Sequence, residues 1–109
     1  MRLVAAVLGL VVAGPVLGQD RFYTGNELHD LCRSNRNFVV GYLAGFTDGL
    51  WMVDADQNTN ELNACIPNGV TLGQLADVVC AHLVKFPAAR HMPASRLTRG
   101  AFNIAFPCR

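Results

Sequence analysis

Four cysteines in a chain of 109 residues, Cys32, Cys65, Cys80 and Cys108, restrict what this sequence can fold into more than any other feature. Their meaning depends on the compartment, because thiols stay free in a reducing cytosol and pair in an exported chain. The N-terminus supplies the compartment. Arg2 opens it, residues 3–13 are apolar apart from Gly9, and Gly14-Pro15 breaks the run ahead of Val16-Leu17-Gly18. That is the layout of a secretory signal peptide over residues 1–18, with cleavage expected after Gly18. As a membrane anchor the run is too short, since a span needs about 20 apolar residues. The expectation is an exported domain over residues 19–109, without a membrane attachment once the signal is cut, and with two disulfides. A domain of roughly 90 residues buries only a modest core, so such staples matter.

The rest of the sequence reads as helices. Thr24 followed by Glu27, and Thr71 followed by Gln74, are capping boxes that satisfy orphan amides at helix starts. They open helices expected over about residues 25–33 and 72–86, the second stopped by Pro87. Phe38, Tyr42, Phe46, Leu50 and Val53 form an apolar stripe at three- and four-residue spacing, which predicts a helix over about 38–54. Pro93 suits the first turn of a fourth helix whose inner face is Ala94, Leu97, Ala101, Ile104 and Ala105. No alternating run is long enough for a sheet. The expected fold class is all-α, a compact four-helix domain with two disulfides.

Helix geometry chooses among the three possible cysteine pairings. The short connection between the third and fourth helices makes them antiparallel neighbours. At 1.5 Å per residue the fourth helix returns about as far as the third rises, roughly 22 Å, so Cys108 ends beside Cys65. Cys80 lies about 12 Å up the third helix, beyond the reach of a disulfide to that end. The expected pairs are therefore Cys65–Cys108 and Cys32–Cys80.

Gly41, Gly45 and Gly49 recur every four residues in the second helix, where each costs about 1 kcal/mol relative to alanine. Close approach of a neighbouring helix is the expected compensation. Asp48 interrupts the same helix and is expected to face solvent or to pair, with Arg90 and His91 as possible partners.

Without Arg2, the nine basic residues become eight, against eight acids. That balance offers no strongly basic face, so neither nucleic acid nor an anionic membrane is an expected partner. The charges are segregated, however. Residues 37–84 hold Asp48, Asp54, Asp56, Glu61 and Asp77 and no Lys or Arg, while residues 85–109 hold five bases and no acid. The plain reading is two solvated faces that attract each other; the sharper one is an acidic surface that meets a basic partner.

Catalysis is not expected. Cys80 and His82 are two apart, so on a helix they point in different directions, and a paired cysteine is no nucleophile. No short cysteine or histidine spacing suggests a metal, and nothing suggests a cofactor. If the chain binds a protein, the contact surface is expected in the polar loop from Asp54 to Asn63 (Asp54, Asp56, Asn58 and Glu61) with Trp51, because function-bearing loops and aromatic anchors often carry recognition; an inert connecting loop and a core tryptophan are the plain alternatives.

Several segments taken together carry a resemblance. These are Tyr23-Thr24-Gly25-Asn26-Glu27-Leu28 followed by Cys32, then Gly41-Tyr42 with Gly45 and Asp48. Cys65-Ile66-Pro67 with Gly69-Val70-Thr71 and Gly73-Gln74-Leu75 follows. Pro87 with Arg90-His91 and Ala94, and the closing Ala105-Phe106-Pro107-Cys108, complete the set. The ordered set resembles the Rap/Tai family of periplasmic immunity proteins over nearly the whole exported chain. The resemblance implies a compact, disulfide-bonded helical fold and a tendency to form homodimers. It also implies a function in bacteria that use type VI secretion, where members cover the active-site groove of an incoming peptidoglycan amidase. One departure stands out: the family often has a cysteine just before the Gly-Tyr pair, where this chain has Val39-Val40, and Cys80 is additional. A staple rearranged onto Cys32 accounts for both. Two other readings fit a small helical envelope protein. One is a structural or stress protein with chaperone-like behaviour, although eight acids and three histidines are no excess for acid-driven release. The other is an inhibitor of a different cell-wall hydrolase.

Overall fold

The computed structural model describes residues 22–109. The expected signal peptide lies outside the described residues. The chain forms α1 (Gly25–Ser34), α2 (Arg36–Gln57), α3 (Leu72–Lys85), a 3-10 turn (Pro87–Ala89) and α4 (Ala94–Ala105). Both capping boxes form: Thr24 accepts from the Glu27 amide and Thr71 from the Gln74 amide, with the Glu27 and Gln74 side chains answering. Helix α2 is longer than the apolar stripe alone predicts. The Asn35 side chain accepts from the Phe38 amide, so one residue ends α1 and starts α2. At the far end Asn58 closes α2 in the left-handed conformation, which asparagine tolerates.

Helix α3 is the centre of the bundle and packs against the other three. Leu75, Ala76, Val79 and Leu83 bury along it, against Leu28 of α1, Val39 and Leu43 of α2, and Leu97, Ala101 and Phe102 of α4. An aromatic chain runs along one side of this core. Tyr23 meets Phe38 and Tyr42, Tyr42 stacks on Phe46, and Phe46 meets Phe102 edge-on at 6.2 Å. Such contacts add to the area they bury. Arg36 pairs with Asp77 and also donates to the Gly73 carbonyl at 3.0 Å, tying the start of α2 to the first half of α3.

The disulfides are those that helix geometry requires. Cys32–Cys80 joins α1 to the middle of α3, with 5.9 Å between Cα atoms. Cys65–Cys108 joins the approach to α3 to the chain end past α4, at 5.0 Å. The Cys65 amide also donates to the Phe106 carbonyl at 2.8 Å. The start of α1 is anchored as firmly. Its backbone pairs with the segment ahead of α4 through Ala94 to Tyr23, Gly25 to Met92 and Asn26 to Arg90.

The glycine stripe does not have the role expected of it. Gly41, Gly45 and Gly49 are exposed, and a methyl group added to any of them would meet nothing within 4 Å. The reason is angular. Val39 and Leu43 take the core, and a residue two positions on is turned by about 200° at 3.6 residues per turn. Close helix packing therefore does not offset these glycines within the fold.

His29 of α1 is half-buried, and its Nδ1 is shielded with no hydrogen-bond partner. Burial, then the charges of Arg90 and Arg33, hold the imidazole below its ordinary 6.5, while Asp30 pulls the other way. Burial and Lys85 lower His82 in the same direction. A histidine depressed in the folded state binds fewer protons there than when unfolded. Its contribution is therefore complete above the unfolded pKa and is lost as pH falls toward the folded one. The urea midpoint is expected to drop between about pH 7 and pH 5, and to drop less in the His29→Gln/His82→Gln variant. An equal drop in both proteins would refute this assignment.

Candidate partner-binding site

Residues 54–57, expected to begin a loop, form the last turn of α2, and the Asp54 side chain there holds the loop that follows from Asn58. Its Oδ1 accepts from the Thr59 hydroxyl at 2.7 Å and the Glu61 amide at 2.6 Å, and its Oδ2 accepts from the Leu62 amide at 3.1 Å. Desolvation pushes the Asp54 carboxyl up, but these three hydrogen bonds and the charge of Arg99 outweigh it and hold the group below its ordinary value. The loop then closes on itself and on the core. Asn63 donates to the Asn60 side chain, the Asn103 side chain of α4 donates to the Asn63 carbonyl at 2.9 Å, and Ala64 is buried.

The residues expected to meet a partner thus divide. Asp54 shapes the loop, and Asn58 turns the chain into it. Asp56 and Glu61 are exposed. Trp51 lies one helical turn before Asp54, with 69% of its surface exposed, and Met52 is exposed beside it. An indole that open on a small domain contributes little to the core.

Asp48 faces solvent and has no ion pair among the described residues. The possible partners named from the sequence are occupied elsewhere. The Arg90 Nε donates to the Leu83 carbonyl at 2.6 Å, closing the end of α3, and His91 Nδ1 lies 3.2 Å from the Ala88 carbonyl. Both serve the turn between α3 and α4. That turn meets α1, and Asp48 sits on the exposed side of α2.

Sequence reasoning missed the neighbour of the acidic loop. A groove of about 540 Å³ lies between residue 63 and α4, lined by Asn63, Pro93, Ser95, Arg96, Arg99 and Asn103. The only hint in the sequence was the absence of acids after Asp77, which reads equally well as a solvated face. Among the described residues, no group of three or more His, Cys, Asp or Glu side chains is placed to hold a metal ion. No helix among them is long and apolar enough to cross a membrane.

This arrangement holds a loop hydrogen-bonded to Asp54 and an exposed tryptophan on a doubly stapled helical body. Comparison with known proteins places it. A search of curated proteins found no match, and neither did a search of solved structures. The family of Rap1a immunity proteins, by contrast, matches residues 24–108, from the first capping threonine to the last cysteine. This chain belongs to the family of Rap1a immunity proteins.

Proposed function

We propose that this protein acts in the periplasm and neutralises a peptidoglycan amidase delivered by type VI secretion, covering the enzyme's active-site groove with residues 54–63, the last turn of α2 and the loop after it. Membership of an immunity family implies binding to a partner effector protein. The finer reading rests on one observation, the ordering of the loop by Asp54. A loop already held in shape loses little conformational freedom on docking, which favours tight binding. Its outward groups, Asp56, Glu61 and the neighbouring Trp51, supply charge and an aromatic anchor of the kind that dominates interfaces. Inhibition by occlusion needs no catalytic group in the inhibitor. The same reading leaves the apolar side of α3 and α4, where Val84, Phe86 and Ile104 are exposed, for contact between two copies.

The experiment is a calorimetric titration of the oxidised protein into a purified type VI peptidoglycan amidase from the same organism, with hydrolysis of peptidoglycan followed in parallel. Binding and loss of hydrolysis are expected. The Asp56→Lys/Glu61→Lys variant keeps the Asp54 hydrogen bonds and is expected to bind on the order of tenfold more weakly at low salt. Unchanged affinity in that variant removes the loop from the interface. Full hydrolysis at saturating protein removes the amidase reading.

A further inference from the structure

The groove beside the loop has the chemistry of a second site. Arg96 and Arg99 lie three residues apart on α4, so they stand side by side about 5–6 Å apart at Cβ. Both are exposed, and neither forms an ion pair among the described residues. Arg99 acts on Asp54 only through its field, while that carboxylate takes its hydrogen bonds from its own loop. Ser95 and Asn103 add a hydroxyl and an amide to the lining. Asn103 holds the Asn63 carbonyl, so the second wall is fixed in place. The volume of about 540 Å³ suits a short segment or a small ligand.

We propose that this groove binds an acidic segment of the partner protein, with one carboxylate on Arg96 and a second on Arg99. Guanidinium groups form two parallel hydrogen bonds to a carboxylate, and two free ones side by side select for two carboxylates. In an extended segment, alternate side chains share a face about 6.6 Å apart, so acids at every second position match the pair. The surroundings argue against a polyanion. Asp56 and Glu61 are exposed on the segment that leads into the groove, and their charge repels a nucleic acid or an anionic membrane surface. A short segment entering between the loop and α4 meets Arg96 and Arg99 as the charged groups of the lining, beside the neutral Ser95, Asn63 and Asn103. This inference rests on the partner-binding reading above only for the owner of the segment.

The test uses the oxidised protein and a blocked six-residue peptide with glutamates at its second and fourth positions, followed by NMR at low salt. Amide shifts are expected to centre on Ser95, Arg96, Arg99 and Asn103. Binding is expected to be about tenfold weaker in Arg96→Gln/Arg99→Gln. The glutamine version of the peptide is expected not to bind. Both arginines are exposed, so an unchanged thermal midpoint confirms that the variant folds. Shifts elsewhere, equal binding by the variant, or equal shifts with acetate at the same carboxylate concentration would each overturn the site. So would concentration-dependent self-association that vanishes in the variant, because the groove would then belong to a second copy. A protein that binds the peptide but no amidase keeps this site and loses the proposed target. One that binds the amidase but not the peptide does the reverse.

Discussion

Replacing Cys32 and Cys80 together by alanine is expected to lower the stability of the exported domain by about 4 kcal/mol. The bond closes a chain segment with a sequence separation of 48, and the entropy that such a closure removes from the unfolded ensemble sets that magnitude. Cys65–Cys108, with a separation of 43, has nearly the same entropic worth, so chain entropy alone predicts equal losses from the two bonds. Packing breaks the tie. Cys32 and Cys80 are half-buried against the core, whereas Cys65 and Cys108 are exposed. Losing the first pair therefore also opens contacts between α1 and α3. For a domain of this size, a loss of about 4 kcal/mol lowers the thermal midpoint by roughly 15–30 °C. Calorimetric melting of the two double variants beside the parent checks this. A Cys65→Ala/Cys108→Ala protein that melts below the Cys32→Ala/Cys80→Ala protein would show that the core contacts around α1 do not matter.

Gly25→Ala is expected to be nearly as damaging, costing about 3 kcal/mol, at the upper end of what overpacking does. A methyl group at this position would sit 2.3 Å from the Leu97 Cδ1, 2.8 Å from the Arg90 carbonyl oxygen and 3.0 Å from the Arg90 Cα. The leucine methyl can swing away. The Arg90 backbone cannot, because its carbonyl accepts from Asn26 and the segment beyond it is pinned by Gly25 to Met92 and Ala94 to Tyr23. Relief would require separating α1 from the turn that leads into α4. Gly45→Ala is the matched control, since its added methyl meets nothing within 4 Å and alanine is the better helix former. The two substitutions should move the urea midpoint in opposite directions. A Gly25→Ala protein as stable as the parent would mean that the contact between α1 and the Arg90 turn is loose in solution.

These two glycines also show where sequence reasoning reaches. Gly45 stands in a regular small-residue pattern and drew attention, yet it is exposed. Gly25 sits inside the Thr24–Glu27 capping box, looks like an ordinary first-turn residue, and is the position where backbone crowding is greatest. The pattern is local, and the crowding comes from Arg90 and Leu97, more than sixty residues away. The loop shows the same division. Its polar character and its place after α2 are legible in residues 57–63. Its order is not, because that depends on the Asp54 side chain accepting from amides seven and eight residues further along the chain. The Arg96 and Arg99 groove was hidden for a similar reason: an exposed arginine in a sequence does not say whether an acid has settled beside it.

Local chemistry was enough for the four helices, the capped starts of α1 and α3, and the sulfur pairing. Caps, apolar periodicity and rise per residue act over a few neighbours and are written into consecutive letters. Which side of α2 meets the core, what crowds Gly25, and which charges remain unpaired were decided only when distant segments met. Those outcomes depend on distances between elements, and a distance across a packed bundle is set by every contact in it at once.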